Sequence, residues 1–376
     1  MSEAPPPRRA FDPAAARVAH SFKHPRPLVG CRFDPSGRFL FASAEDDTVQ
    51  RFDLLTGAKT AFVGHASWVR GLAFVAAASP PGVPVPNPGT LHGAIGFGAA
   101  RAPVPKAAPF TLISADYHGN LIWWDGAADA PKPLRTVPAH DGWARAVAVS
   151  PDGATVASCG NDHAVKLWSA ADGAPVRTLE GHTSHVYNVA YHPNGRRLVS
   201  CDLKGVVKDW DVKTGTCERE FDAKVLAKYD AGFMADIGGA RGIAFRADGS
   251  AFALCGITNV SNAFAGVGNP AVVLVHWAGG TPTLLRPKEA FQGTAWGVGF
   301  HPSGAIISAG GGGQGRVWFW KGKDETGAHT INVPTNCRDF ALSPAGDRFA
   351  VAGANGTAFV YDFTGPAPAP PAPPKK

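Results

Sequence analysis

The stretch from His140 to Trp168 carries residues that could do chemistry: His140, Ser158, Asp162 and Trp168. A serine, a histidine and an aspartate are the parts of a nucleophilic triad, in which the imidazole activates the hydroxyl and the carboxylate orients the imidazole. The same three groups with an indole N–H can also satisfy one another's donors and acceptors as a buried network. A second set recurs at one offset along the chain: Arg70, Arg145, Arg241 and Arg338, with Tyr187, Trp296 and Val29 at the same offset. Two residues earlier stand Trp68, Trp143 and His185. Guanidinium forks grip carboxylate or phosphate with two hydrogen bonds, and tryptophan, tyrosine and arginine dominate contact energies between proteins.

What positions these residues is a repeat. The 140–168 stretch reads as three short apolar runs separated by Ser-Pro-Asp-Gly and Asn-Asp turns, a β-meander. Aligning Pro151 with Pro35, Pro193, Pro302 and Pro344 brings out seven units. They start at His24, His65, His140, His182, Asp236, Phe291 and Val333, and their third strands end at Phe52, Trp124, Trp168, Trp210, Trp277, Trp320 and Tyr361. Unexpanded units begin about 42 residues apart, the length of a four-stranded propeller blade.

Gly64-His65, Gly181-His182, Trp210-Asp211 and the variants Phe52-Asp53, Trp124-Asp125 and Tyr361-Asp362 resemble the motifs of the WD-repeat (WD40) β-propeller family over residues 17–363. The resemblance implies an all-β, seven-bladed propeller of four-stranded antiparallel blades. Arg17–Phe22 would close it as the outer strand of the last blade. It also implies that His140, Ser158, Asp162 and Trp168 are a structural tetrad pinning a loop to its sheet, without the exposed nucleophile of a hydrolase. The tetrad is expected to degrade elsewhere. Blade one offers His24, Ser43 and Asp47 but Phe52. Blade four has Lys204, and blade two His118, in the aspartate slot; the last three blades lack the leading histidine. In such propellers the two offset positions line the top rim of the central channel. There Trp68, Arg70, Trp143, Arg145, His185, Tyr187, Arg241, Trp296 and Arg338 would form a basic, aromatic ring attractive to an anion. The competing expectation is that each arginine pairs with a neighbouring blade's acid, with Asp46, Asp116 and Asp236 as candidates.

The 376 residues suit one closed propeller, and 45% hydrophobic content suffices for its core. Net charge is only +6. No apolar run reaches the roughly 18 residues of a membrane span. The N-terminus lacks the apolar core of a signal peptide, so the expected location is the cytoplasm. Heavy use of Ala, Gly, Pro and Arg suggests a GC-rich, bacterial source. Residues 1–16 and the Pro-rich 364–376, with its formal P-x-x-P-x-K, read as disordered tails. A Pro/Gly-rich insertion, 76–109, interrupts blade two. Blade five carries two top-face insertions, 223–239 and 256–270. In the first, Val225, Leu226, Tyr229, Phe233 and Met234 could share one face of a short helix. Cys159, Cys201 and Cys255 occupy a position filled elsewhere by Ala44, Ala115, Ala309 and Ala352, so they read as small packing residues rather than metal or disulfide ligands.

The function expected is therefore a non-catalytic scaffold, monomeric as a fold unit and without cofactor or metal. Its top face would hold a protein or peptide segment that is acidic or phosphorylated. A nucleic-acid binder could use the same ring, arginine for phosphate and aromatics for stacking. A lactonase-like metal hydrolase is a third reading. It is disfavoured because the rim positions are cationic and aromatic rather than oxygen and imidazole ligands.

Overall fold

The computed structural model describes residues 11–76, 107–262, 267–321 and 327–363. Within them the chain forms seven four-stranded antiparallel sheets, the blades of a closed wheel. Six blades use four consecutive strands, here a to d from the hub outwards. In blade three these are Ala144–Val149, Thr155–Gly160, Val165–Ser169 and Pro175–Leu179. The a strands of neighbouring blades touch around the whole circuit, and that of blade seven, Cys337–Leu342, meets that of blade one, Leu28–Phe33. Blade seven takes its outer strand from the other end of the chain. Arg17–Lys23 runs antiparallel to Thr357–Asp362, pairing Val18 with Tyr361 and Phe22 with Ala358.

Each sheet has two faces and buries both against its neighbours, which produces one apolar cluster per blade boundary. Between blades one and two it contains Phe41, Phe62, Phe110 and Trp124. Between blades seven and one it contains Phe22, Phe52, Leu40 and Val360. Full burial of one such side chain contributes about 1.5–3 kcal/mol, so a blade gains most of its stability from contacts it cannot make alone.

Four expectations change. First, residues 11–16 are not a free tail. Phe11 stacks on His301 with ring centroids 3.7 Å apart and meets Phe363 edge-on, and Asp12 caps a 3-10 turn, Pro13–Ala15. Phe11 and Ala16 pack against the apolar cluster between blades six and seven. Second, the proposed helix in 223–239 is a 3-10 turn, Lys224–Leu226, followed by a hairpin of Ala227–Asp230 with Ala235–Gly238. Of its five apolar residues only Leu226 is buried in the core, so the five never needed a common helical face. Third, the 256–270 segment largely continues the blade. Strands Ala251–Asn262 and Val267–His276 run on as one long hairpin, pairing Ile257 with Pro270 and Thr258 with Asn269. Fourth, Trp277 does not end strand c of blade five. Val275 pairs with Phe252 where Trp168 pairs with Val156, and Trp277 lies beyond the strand. Residues 77–106 of the blade-two insertion, and the tail 364–376, lie outside the described residues.

Candidate functional site

The recurring arginine and aromatic position has a local structural cause. Strand a of six blades breaks register with strand b at one place, between Leu28 and Gly30, Val69 and Gly71, Ala144 and Ala146, Val186 and Asn188, Ala295 and Gly297, and Cys337 and Asp339. The residue skipped each time is Val29, Arg70, Arg145, Tyr187, Trp296 or Arg338. In blade five Arg241 holds the same place, one residue before the first paired position, Gly242. A bulge leaves one residue out of the ladder and turns its side chain away from it. Seven blades thus place seven side chains at one equivalent step of strand a.

Most of these side chains touch. The Arg145 guanidinium lies 4.3 Å from the Trp143 ring centre and 4.4 Å from that of Tyr187. Arg241 lies 5.2 Å from Tyr187 and 5.1 Å from Trp296. Arg70 reaches from blade two to blade six, 5.8 Å from Trp296. Cation–π contacts of this kind are worth about 0.5–2 kcal/mol each. Tyr117, which no repeat position singles out, stacks on Trp143 at 4.1 Å and 7°, and Trp68 lies beyond it at 6.4 Å. Trp68 and Trp143 remain 42% and 41% exposed. His185 joins the group through Asn161, whose carbonyl lies 2.9 Å from its Nδ1.

The arginines are not equivalent. Arg338 pairs with Glu45, and Arg70 donates to the Val29 carbonyl and lies 4.0 Å from Asp339. Asp339, buried in the hub wall, also accepts from Arg32 at 2.6 Å. The acids expected as partners are engaged elsewhere: Asp46 by His24, Asp116 by His65 and Asp236 by Lys204. Arg145 donates to the Asn161 amide oxygen at 2.8 Å. Among the described residues no carboxylate pairs with Arg145 or Arg241, and the buried Nε of Arg241 has no acceptor. Burial lowers the Arg241 pKa; Tyr187 opposes this and the Arg70 and Arg145 charges add to it. The positive charge at this recurring position is therefore least compensated from blade three to blade five.

The tetrad of blade three is a closed circuit. His140 Nδ1 lies 2.8 Å from Asp162 and Nε2 2.7 Å from Ser158 Oγ, while the Trp168 indole donates to that oxygen at 2.8 Å. A neutral imidazole protonated on Nδ1 satisfies every group: indole to hydroxyl, hydroxyl to imidazole, imidazole to carboxylate. Ser158 is fully buried and doubly engaged, so it offers no surface for substrate attack.

The network degrades less than the sequence suggests. In blade two His65 bonds Asp116 at 2.7 Å and Ser114 at 2.6 Å, and Trp124 donates to Ser114 at 2.8 Å. In blade four His182 bonds Asp202 at 2.9 Å and Ser200 at 2.7 Å, with Trp210 donating to Ser200. His118 and Lys204 are not in the aspartate role. There the carboxylate comes two residues after the serine, where blade three has Gly160. With glycine at that step, blade three supplies its carboxylate two residues later, from Asp162. Blade one follows blade three, with His24 bonding Asp46 rather than Asp47. Asp47 instead takes the left-handed turn position, φ 65°, that Gly119, His163 and Gly205 take in the next three blades. Ser43 is also one residue out of frame. Ala42 pairs with Gln50 where Ser158 pairs with Lys166, and Ser43 holds the small-residue position of Ala115 and Cys159 that was assigned to Ala44. Its hydroxyl is buried and has no hydrogen-bond partner among the described residues.

Among the described residues no three His, Cys, Asp or Glu side chains converge as a metal site, and no helix is long and apolar enough to cross a membrane.

A wheel of seven such blades, three of them held by a His–Ser–Asp–Trp circuit, defines a β-propeller of repeated meanders. Residues 17–53, 131–169 and 173–211 match the family model described as WD domain, G-beta repeat. Three stretches of the chain thus match WD repeats, within a seven-bladed β-propeller. It is 28% identical over 135 residues to Nuclear distribution protein PAC1 of Coccidioides posadasii, covering 36% of this chain and 26% of that protein. It is 37% identical over 62 residues to Ribosome assembly protein 4 of Chaetomium thermophilum, covering 16% of this chain and 12% of that one. The matches span about a quarter or less of these relatives' own lengths. Both are fungal proteins, which gives no support to the bacterial source expected from composition.

Proposed function

We propose that this propeller is a non-catalytic scaffold whose top rim holds an acidic or phosphorylated segment of a partner protein. The observation that carries the reading is the pair Arg145 and Arg241, set about Tyr187 with no carboxylate among the described residues. Aromatic faces hold the two guanidiniums in place, so little side-chain entropy remains to be lost when an anion arrives. The names of the relatives, a nuclear distribution protein and a ribosome assembly protein, are consistent with work done through other proteins.

The test is reversal of both charges, Arg145→Glu with Arg241→Glu, followed by capture from native lysate. Loss of a partner held by the unaltered protein is expected, and equally tight capture would remove the rim from consideration. If the unaltered protein instead holds single-stranded nucleic acid, with affinity falling steeply as salt rises, the nucleic-acid reading replaces this one.

A further inference from the structure

The rim does not stand alone. The hairpin Ala227–Asp230/Ala235–Gly238 rises immediately before Arg241, and its two faces have different surroundings. Lys228 lies on one face and donates to the Val260 carbonyl at 2.7 Å, tying that face to the long hairpin of blade five. Tyr229 and Asp236 are directly opposed in the hairpin, so they share the other face. Asp236 pairs with Lys204 of blade four at 3.7 Å. That face therefore looks over blade four, whose b–c turn also touches the rim: the Leu203 amide donates to the carbonyl of His185. The base is fixed, because Gly239 packs against Leu203 and Leu226 is buried beside Gly256.

On this braced support the apolar side chains are exposed. Tyr229 is 60% and Met234 80% accessible, with Val225 close by in the chain. Exposed large apolar residues clustered on a rigid element mark a contact surface better than scattered ones do. Three residues past the hairpin stands Arg241, one end of the uncompensated positive arc that runs through Tyr187 to Arg145.

We infer that rim and hairpin form one composite site for a peptide segment that is acidic at one residue and apolar at a neighbouring one. The acidic group sits between Arg145 and Arg241, and the apolar side chain lies against Tyr229 and Met234. The occupant is a partner's extended segment, because the charge complement is local to the arc while the apolar surface stands outside the hub. The inference rests on the proposed function and adds the second half of the recognition code.

The experiment uses the full chain and a degenerate peptide library with a fixed central glutamate, alongside the same library centred on alanine. The unaltered protein is expected to enrich the glutamate library at least tenfold, and to select Leu, Ile, Phe or Met at one flanking position. Tyr229→Ser with Met234→Ser, both at exposed sites, should erase the apolar selection while keeping the glutamate preference. Arg145→Gln with Arg241→Gln should erase the glutamate preference. Thermal melting of both variants, and rescue by Arg145→Lys with Arg241→Lys, separate lost binding from lost folding. Glutamate selection with no apolar preference, or an apolar preference untouched by the hairpin variant, overturns the composite site and leaves the rim reading standing. Absence of any glutamate preference overturns both.

Discussion

The guanidinium of Arg241 lies 5.2 Å from the ring centre of Tyr187, and its buried Nε has no acceptor among the described residues. A cation in that state is less stable than one with a carboxylate at its side, and an arriving anion relieves it. Ligand that binds only the folded chain should therefore raise its melting temperature. At 100 times the dissociation constant the added stability is about 2.7 kcal/mol. In a thermal scan the glutamate-centred peptides should shift the unaltered protein, and should leave Arg241→Gln unshifted.

Asp116 makes blade two pH-sensitive in a defined direction. Burial raises its pKa, but hydrogen bonds from His65 and from the backbone N–H groups of Asn120 and His118 outweigh this and hold it below the usual carboxylate value. A depressed folded pKa gives stability that is complete above the unfolded value, about 3.9, and is lost as pH falls through the folded value. Asp116→Asn should cost about 1–3 kcal/mol at pH 7. Urea unfolding repeated near pH 3.5 should show a smaller gap between variant and parent.

Two serines one register step apart should respond in opposite ways. Ser158 bonds His140 and Trp168, and its replacement by alanine strands both. A loss of about 1–3 kcal/mol is expected. Ser43 has a buried hydroxyl with no partner among the described residues. Ser43→Ala should be neutral or raise the urea midpoint, and a loss as large as that of Ser158→Ala would contradict the frame assigned to blade one.

Of six cysteines only Cys217 is exposed. The other five lie in blade interiors, where burial raises the thiol pKa, to about 12 for Cys337. Mass spectrometry after alkylation at pH 8 should find one adduct on the native protein, at Cys217, and six after denaturation.

The wheel was legible because seven imperfect copies reinforce one another, and a turn such as Ser-Pro-Asp-Gly announces its strands without help from distant contacts. The recurrence of one strand-a position was legible too, since a bulge repeated in six of the seven strands keeps side chains in step along the sequence. What failed was framing by a single residue. Asp46 and Asp47 are adjacent, as are Ala42 and Ser43, and only strand pairing shows which of each two faces the histidine. Likewise Asp116 and Asp202 were passed over because blade three, used as the reference, has Gly160 at that step. Glu45 and Asp339 went unnoticed as arginine partners because they meet Arg338 and Arg70 across blade boundaries, a proximity that no spacing within one repeat encodes. The apolar residues from Val225 to Met234 fall near helical spacing while serving separate surroundings in a 3-10 turn and a hairpin, so their spacing misleads.

Joining Arg17–Lys23 to Thr357–Asp362 sets an order on biosynthesis. The first blade strand to leave the ribosome finds its partner only when the last one has been made. Until then its exposed edge, with Val18 and Phe22 on it, has no complement within the nascent protein. Domains generally fold as units during synthesis, but this one cannot finish early. A chain that stops before residue 357 leaves Arg17–Lys23 without the strand it pairs with, so the outer edge of the last blade stays unmade.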